Sequence, residues 1–156
     1  MQPIVSKIHL SLIKKRYTLA VAESCTGGLL SSLLTNIPGS SQYFILGVVV
    51  YSNKVKSGIL KIPAGLIAKN GAVSGVVAAK MAESVRKLAK TDLGIGVTGI
   101  AGPAGGNSQK PKGTVFIAVA NKHTTICKKF HFTGNRTTVR KKAALKAAVL
   151  LNALMK

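Results

Sequence analysis

The chain passes from an apolar run to a polar turn within the stretch Tyr17-Thr18-Leu19-Ala20-Val21-Ala22-Glu23-Ser24-Cys25-Thr26-Gly27-Gly28. A short apolar run of this kind is typical of a buried strand, and glycines after polar residues are typical of a turn that leads into a helix. Glu23 is one of only 3 acidic residues in the chain. The stretch predicts a strand, a turn and a helix, with chemically active side chains in the turn.

Strand and helix patterns alternate along the rest of the chain. Apolar residues at helical spacing predict helices, and short apolar runs bounded by Gly, Pro or Asn predict strands. Interleaved strands and helices with a late hairpin indicate a single α/β domain over residues 1–156, with a mixed, mostly parallel sheet between two layers of helices. The predicted helices cover residues 3–15, 27–35, 53–60, 63–70, 74–90 and 136–154, and the predicted strands end at Ala22 or cover residues 44–51, 92–98, 114–120 and 124–132.

The composition is that of a globular protein with its own core. Hydrophobic residues make up 47% of the 156 residues, and the longest apolar stretch, residues 44–51, is too short to span a membrane. Lys7 and His9 interrupt the first apolar segment, so we predict no signal peptide. We expect a cytoplasmic protein without a membrane partner, with Cys25 and Cys127 reduced.

The net charge of +20 raises the question of a nucleic-acid partner. The 23 Lys and Arg residues are spread along the chain, and aromatic residues make up 4%, which leaves few platforms for stacking bases. We therefore expect no specific nucleic-acid function, only weak non-specific binding at low salt.

Two familiar nucleotide motifs and a metal site can be set aside. Residues 94–99, Gly-Ile-Gly-Val-Thr-Gly, match the dinucleotide fingerprint, but these glycines lie inside a predicted strand and no acidic residue follows Asp92. No phosphate-binding P-loop motif is present. The three histidines are scattered, so we predict neither a metal site nor a cofactor.

Ser24 is a candidate nucleophile because it lies where a strand ends and a helix begins. In α/β domains ligands gather beyond the carboxyl ends of the strands, and a helix start offers free N–H groups to an oxyanion. The alternative is that Ser24 or Thr26 only caps the helix. A desolvated lysine after the second strand, Lys54 or Lys56, is a candidate base, although most lysines are solvated. Cys25 is the competing nucleophile.

Six motifs, taken together and in order, resemble the CinA C-terminal domain family, which is named for a competence-damage-inducible protein and includes nicotinamide-nucleotide amidases. They cover nearly the whole chain. They are Ala22-Glu23-Ser24-Cys25-Thr26-Gly27-Gly28, Pro38-Gly39-Ser40-Ser41, Tyr51-Ser52-Asn53-x-x-Lys56, Gly71-Ala72-Val73-Ser74, Val97-Thr98-Gly99-Ile100-Ala101-Gly102-Pro103 and Lys110-Pro111-x-Gly113-Thr114-Val115.

The resemblance implies hydrolysis of nicotinamide mononucleotide to nicotinate mononucleotide and ammonia, with Ser24, Tyr51 and Lys56 as catalytic residues. Lys56 or Tyr51 would take the proton of Ser24. From the position of the helix start, we expect N–H groups near Thr26, Gly27 and Gly28 to hold the oxyanion. We also expect a homo-oligomer, a dimer in the simplest case.

The chain departs from the family pattern where acidic residues are often found, with Gln109, Asn135 and Gly75 in their place. These departures leave open an alternative function, that of a catalytically weak nucleotide-binding protein or a partner protein associated with competence or DNA damage.

The phosphate of such a substrate has three candidate binding positions. Arg136 and Arg140 lie one turn apart at the start of the last predicted helix, where cations oppose the helix dipole unless an anion is near. Backbone N–H groups and hydroxyls of Ser40 and Ser41, or of Thr98 and Gly99, could bind the phosphate without a charged side chain.

Overall fold

Five strands and six helices form the protein, in a computed structural model that describes residues 3–155. Each predicted helix and strand is present, with shifts at some ends. The helices are α1 (Pro3–Lys15), α2 (Leu29–Thr35), α3 (Asn53–Leu60), α4 (Ala64–Asn70), α5 (Gly75–Ala89) and α6 (Arg136–Leu154), and the strands are β1 (Leu19–Glu23), β2 (Phe44–Val49), β3 (Leu93–Gly99), β4 (Thr114–Ala120) and β5 (Thr125–His131).

The strands form one mixed sheet in the order β2-β1-β3-β4-β5. Strand β1 is parallel to both β2 and β3, whereas β4 is antiparallel to β3 and to β5. Four strands therefore run in one direction and only β4 runs in the other, which confirms the predicted mixed, mostly parallel sheet. The carboxyl ends of β1, β2 and β3 meet at the same edge.

Helices cover both faces of the sheet, because alternate residues of a strand point to opposite faces. Leu19 and Val21 of β1 pack in the core that α1, α2 and α6 close, while Ala20 and Ala22 pack in the core that includes residues of α3, α4 and α5. The result is the predicted three-layer arrangement. None of the helices within residues 3–155 is long and apolar enough to cross a membrane.

The glycines of the residue 94–99 motif allow α5 to approach the sheet closely. A Cβ atom on Gly94 would lie 2.2 Å from the carbonyl oxygen of Ala82, and one on Gly96 would lie 2.3 Å from that of Ala78. Both glycines are inside β3. They serve helix–sheet packing, in agreement with the rejection of the dinucleotide fingerprint.

Helix α2 begins at Leu29, two residues later than predicted, because Gly27 and Gly28 adopt left-handed conformations with φ of +59° and +97°. The carboxylate of Glu23, which is fully buried, accepts hydrogen bonds from the N–H groups of Gly28, Leu30 and Ser31 and from the Ser31 hydroxyl, at 2.7–3.0 Å. One acidic side chain thus satisfies the free N–H groups at the start of the helix and matches its positive dipole end.

We expect Glu23→Gln to lower the free energy of unfolding by about 2–4 kcal/mol. A glutamine amide replaces one of the two acceptor oxygens with a donor, so two of the four donors lose their acceptor, and each unsatisfied buried donor costs about 1–3 kcal/mol. Urea denaturation followed by circular dichroism measures the loss.

Glu83→Gln is the matched control, because its ion pair with Lys80 spans 2.9 Å between side chains that are 30% and 47% exposed. An exposed pair of this kind contributes less than about 1 kcal/mol. Equal losses in the two variants would show that the buried carboxylate does not organise the turn.

Candidate active site

Three parallel strands bring the predicted catalytic region together at the carboxyl edge of the sheet. Glu23, the last residue of β1, pairs with Val49 of β2 on one side and with Val97 of β3 on the other. Three residues therefore meet at this edge: Ser24 and Tyr51, which follow β1 and β2, and Thr98, the second-last residue of β3. This is the position where α/β sheets bind ligands.

A cavity of about 270 Å³ opens at this edge. The strand ends form its floor, α3 and the segment before α5 form one wall, and the loop after β3 together with the first residue of α6 forms the other. Its lining consists of Ser24, Cys25, Tyr51, Asn53, Lys56, Ala72, Val73, Thr98, Gly99, Ile100, Ala101, Gly102, Ala104, Gly105 and Arg136.

Lys56 and Ser24 are in direct contact at the bottom of the cavity. The Nζ atom of Lys56 donates a hydrogen bond to the Oγ atom of Ser24 at 3.3 Å. Ser52 caps α3 by accepting from the Val55 N–H group, and this fixes the helix turn that carries Lys56. Only 1% of Lys56 is exposed, and this burial lowers the pKa of its amine. A lysine with a lowered pKa that touches a serine hydroxyl has the properties of a general base.

Cys25 is a poor nucleophile in this environment, although it lies next to Ser24. The side chain is 5% exposed, and burial raises the pKa of its thiol to about 12. The thiolate is the reactive form of cysteine, so a thiol held neutral near pH 7 does not attack a carbonyl.

The turn after Ser24 leaves two backbone N–H groups available. The Gly27 N–H donates to the carbonyl of Ser24 at 3.1 Å, and the Gly28 N–H is bound to Glu23. Within residues 3–155, the N–H groups of Cys25 and Thr26 have no backbone or side-chain oxygen acceptor. These two groups come directly after Ser24 and are the candidate oxyanion donors, whereas the expectation that Gly27 and Gly28 supply free donors is corrected.

Comparison with known proteins assigns the chain to a family. A model of the CinA C-terminal domain matches residues 1–155. The chain belongs to the CinA C-terminal domain family. It is 50% identical over 141 residues to a CinA-like protein of Syntrophus aciditrophicus, which is 90% of this chain and 33% of that protein. It is 48% identical over 144 residues to a putative competence-damage inducible protein of Caldanaerobacter subterraneus, 92% of this chain and 35% of that protein.

Solved structures of CinA superfamily proteins have the same fold. One from Klebsiella pneumoniae has a TM-score of 0.94 at 30% identity, covering 97% of this chain and 95% of that one. One from Escherichia coli has a TM-score of 0.93 at 34% identity, covering 97% and 88%. The chain spans about a third of the curated relatives that it matches and nearly the whole of these solved chains.

Tyr51 and Arg136 lie together at the mouth of the cavity of this CinA domain. The phenol of Tyr51, a residue that is 58% exposed, accepts a hydrogen bond of 2.8 Å from Nη2 of Arg136. Arg136 also donates from Nη1 to the carbonyl of Gly102 at 2.8 Å. Among the described residues no hydrogen bond joins the Tyr51 hydroxyl to Ser24 or Lys56. The Tyr51 hydroxyl is thus bonded to Arg136 at the cavity mouth and not to Ser24 or Lys56.

The remaining predicted site residues divide into two groups. Thr98 and Gly99 line the cavity, and the Thr98 hydroxyl donates to the carbonyl of Ala72 at 2.9 Å. Ser40 and Ser41 are in a short 3-10 helix, Ser40–Gln42, just before β2 and so at the opposite edge of the sheet. Their assignment to the substrate phosphate is therefore corrected. The buried Thr26 side chain does not line the cavity either.

Sequence reasoning missed several cavity residues, among them Asn53, Ala72 and Val73. The first belongs to the same motif as Tyr51 and Lys56, and the other two to a motif for which no role was predicted. Residues 99–113 are rich in glycine and proline, and long loops of this kind often carry function. The sequence therefore indicated a functional loop, but Gly99 was the one residue of this loop that was predicted to bind substrate.

We predict that iodoacetamide at pH 8 alkylates Cys127 in the folded protein and leaves Cys25 unmodified. Partial desolvation also raises the pKa of the Cys127 thiol, but this residue is exposed to the reagent, whereas Cys25 is buried with a pKa of about 12. Intact-mass analysis gives the number of modified thiols, and the Cys127→Ser variant isolates Cys25. Rapid labelling of Cys25 in that variant without denaturant would restore it as a candidate nucleophile.

Proposed function

We propose that this domain is a nicotinamide-nucleotide amidohydrolase that converts nicotinamide mononucleotide to nicotinate mononucleotide and ammonia. The observation that carries the proposal is the buried contact between Lys56 Nζ and Ser24 Oγ at 3.3 Å, which joins a nucleophile to a base at the edge where α/β sheets bind ligands. The resemblance to the family supplies the substrate class. The Caldanaerobacter relative and the Klebsiella structure are named for competence damage, and neither name refers to an amide substrate.

In the first half-reaction, neutral Lys56 takes the proton of Ser24 as Oγ attacks the carboxamide carbon. A bond forms between Oγ and carbon, and the carbonyl oxygen becomes an oxyanion that the N–H groups of Cys25 and Thr26 can hold. Lys56, now an ammonium, passes its proton to the amide nitrogen as the carbon–nitrogen bond breaks and ammonia leaves. The product is an ester between Ser24 and the pyridine carboxyl group.

Water completes the reaction. Lys56 is neutral again after ammonia leaves, so it can take a proton from a water molecule that attacks the ester. The carbon–oxygen bond to Ser24 then breaks, Ser24 regains a proton from Lys56, and nicotinate mononucleotide is released. The lowered pKa of Lys56 suits this exchange because the same amine must be neutral before each attack and charged before each departure.

Arg136 is the proposed partner of the substrate phosphate. Its guanidinium is at the mouth of the cavity, it is exposed, and it is fixed by the Tyr51 hydroxyl and the Gly102 carbonyl. A planar guanidinium binds phosphate oxygens through paired hydrogen bonds. Thr98 and Gly99 are deeper in the cavity and are assigned to the ribosyl–pyridine part of the substrate.

A second candidate function is that of a binding protein associated with competence or DNA damage, which several relatives are named for. The intact contact between Ser24 and Lys56 favours the enzyme, and the net charge of +20 favours an anionic partner. The cytoplasmic location and the homodimer remain predictions.

We predict that Ser24→Ala abolishes ammonia release from nicotinamide mononucleotide and that Lys56→Met lowers kcat by about 10²–10⁴-fold, the range typical of a lost acid–base group. Lys54→Met is the matched control, because Lys54 is in the same helix but is exposed and does not line the cavity. Cys25→Ala should retain most of the activity. The readout is ammonia release together with chromatography of the two nucleotides.

We predict that kcat increases with pH. The base is active when Lys56 is neutral, so kcat should rise with pH through the lowered pKa of Lys56 and level off above it. A kcat that does not rise at any point from acidic to alkaline pH, or equal losses in the Lys54 and Lys56 variants, would assign the base to another residue. Activity that survives Ser24→Ala and disappears in Cys25→Ala would reverse the choice of nucleophile.

We also predict that nicotinamide riboside, which lacks the phosphate, is hydrolysed with a far lower kcat/KM than the mononucleotide. Arg136→Ala should raise KM for the mononucleotide and leave the low rate on the riboside unchanged, because only the first substrate offers an anion to the guanidinium. Steady-state kinetics on both substrates provide the measurement. A uniform loss on both substrates would assign Arg136 to the support of Tyr51 and the loop instead.

A further inference from the structure

Arg140 holds the backbone of the turn that carries the nucleophile. It extends from α6, and its Nε atom donates to the carbonyl of Cys25 at 3.1 Å while its Nη2 atom donates to the carbonyl of Thr26 at 2.9 Å. One guanidinium therefore binds two consecutive carbonyl groups, 114–115 residues away in sequence. Arg140 does not line the cavity, so it does not contact a substrate bound there.

These bonds act directly on one of the two N–H groups proposed as oxyanion donors, that of Thr26. They act on the other, that of Cys25, through Gly27, because the Gly27 N–H shares its peptide plane with the Thr26 carbonyl that Arg140 binds. In a trans peptide the C=O and N–H groups point in opposite directions. The Cys25 carbonyl shares its peptide plane with the Thr26 N–H, so the bond from Arg140 sets the orientation of that donor. The Ser24 carbonyl shares its plane with the Cys25 N–H, and it is fixed by the Gly27 N–H at 3.1 Å. Each donor N–H is thus held in place because the carbonyl of the same peptide group is hydrogen-bonded.

The glycine at position 27 provides the space that the guanidinium occupies. A Cβ atom on Gly27 would lie 2.9 Å from Nη2 of Arg140, closer than real Cβ contacts. At Gly28, which also has a positive φ, a Cβ would meet only a Val49 methyl group at 4.0 Å. Both glycines permit a left-handed backbone, but only Gly27 is required by the position of Arg140.

We propose that Arg140 is a positioning residue for catalysis: it orients the N–H groups of Cys25 and Thr26 toward the oxyanion and places a positive charge behind them. The proposal rests on the proposed amidase function for its substrate. It assigns to α6 two separate tasks one turn apart, with Arg136 facing the ligand and Arg140 holding the turn beneath the nucleophile.

The first test compares Arg140→Ala and Arg140→Lys with Lys141→Met, an exposed neighbour that makes no contact with the turn. We expect kcat on nicotinamide mononucleotide to fall about 10²-fold in Arg140→Ala, the size of loss that a small misplacement of reacting groups produces. KM should change little, because Arg140 does not touch the cavity. Arg140→Lys should fall by a similar factor, since a single ammonium cannot reproduce the planar fork.

Added guanidinium ion at millimolar concentration should restore part of the kcat of Arg140→Ala and none of the kcat of Lys56→Met. A residue with only a role in folding would not respond in this way, because free guanidinium destabilises proteins. An unchanged kcat in Arg140→Ala, or a loss expressed only in KM, would overturn the proposal.

A second readout does not depend on the identity of the substrate. A fluorophosphonate reacts with an activated serine: a bond forms from Ser24 Oγ to phosphorus, the phosphorus–fluorine bond breaks, Lys56 takes the serine proton and fluoride leaves. The phosphoryl oxygen then needs the same N–H donors as an oxyanion. Intact-mass analysis should show labelling of the parent protein and of Lys141→Met, and labelling about 10²-fold slower in Arg140→Ala.

The two readouts separate this proposal from the proposed function. A parent protein that is labelled but releases no ammonia would contradict the amidase activity alone, and the labelling rates would still test Arg140. Equal labelling of the parent and Arg140→Ala would contradict the role of Arg140 alone.

Gly27→Ala and Gly28→Ala provide a test that leaves Arg140 in place. Both substitutions put a side chain where φ is positive, with a cost that is common to the two. Only Gly27→Ala also displaces the guanidinium, so it should slow the labelling of Ser24 more than Gly28→Ala does at matched thermal stability. The reverse order would contradict the proposal, and this comparison applies even if Arg140→Ala does not fold.

Discussion

The buried carboxylate of Glu23 is the interaction on which the site depends. It is the last residue of β1 and it binds the N-terminal N–H groups of α2, so the strand and the helix are joined by the residue that directly precedes the nucleophile. Because Glu23 takes the donors of Gly28, Leu30 and Ser31, the helix start does not bind an external anion. Among the described residues of this turn, the N–H groups left without an oxygen acceptor are those of the first two residues after Ser24, where the proposed reaction would form an oxyanion. Arg140 holds the carbonyl side of the same turn, so two opposite charges fix the segment from two directions.

Lys56 differs from the many other lysines of the chain because it is desolvated. Lys56 is the one fully buried lysine within residues 3–155, and it has no carboxylate partner there. A buried amine without an anion favours the neutral form, and this lowers its pKa. The shortage of acidic residues and the lowered pKa of this buried lysine are thus physically compatible.

Much of the fold and part of the site could be predicted from the sequence, because both follow local patterns. Apolar periodicity located the strands and helices, and parallel strand ends brought Ser24 and Thr98 to one edge. Predictions that depended on which partner a group finds, or on where a connecting segment lies, were wrong. Gly27 and Gly28 were expected to offer N–H groups, but one donates to the turn itself and the other to Glu23. Ser40 and Ser41 were expected near the substrate, but the short 3-10 helix that contains them precedes β2 and so lies at the opposite edge of the sheet.

The role of Arg140 could not be derived from the sequence for a different reason. Its partners are backbone carbonyls, which carry no residue-specific signature, and they are more than a hundred positions away. The helical spacing of Arg136 and Arg140 suggested one shared anion site. In the structure the two side chains diverge, one toward the cavity mouth and the other beneath the turn.

The three acidic residues that the chain keeps all have structural partners, and this gives the net charge a simpler origin than a basic binding surface. Glu23 caps α2, Asp92 accepts from the N–H and hydroxyl of Thr18, and Glu83 binds Lys80 and Thr125. At the start of α6 an amide serves as the cap, because Asn135 accepts from the Thr138 N–H at 2.9 Å, as an aspartate would. The fold does not need a carboxylate at this position, and acidic residues are few in the rest of the chain. The charge of +20 follows from their depletion, while the acids that close the nucleophile turn, the sheet edge and α5 are retained.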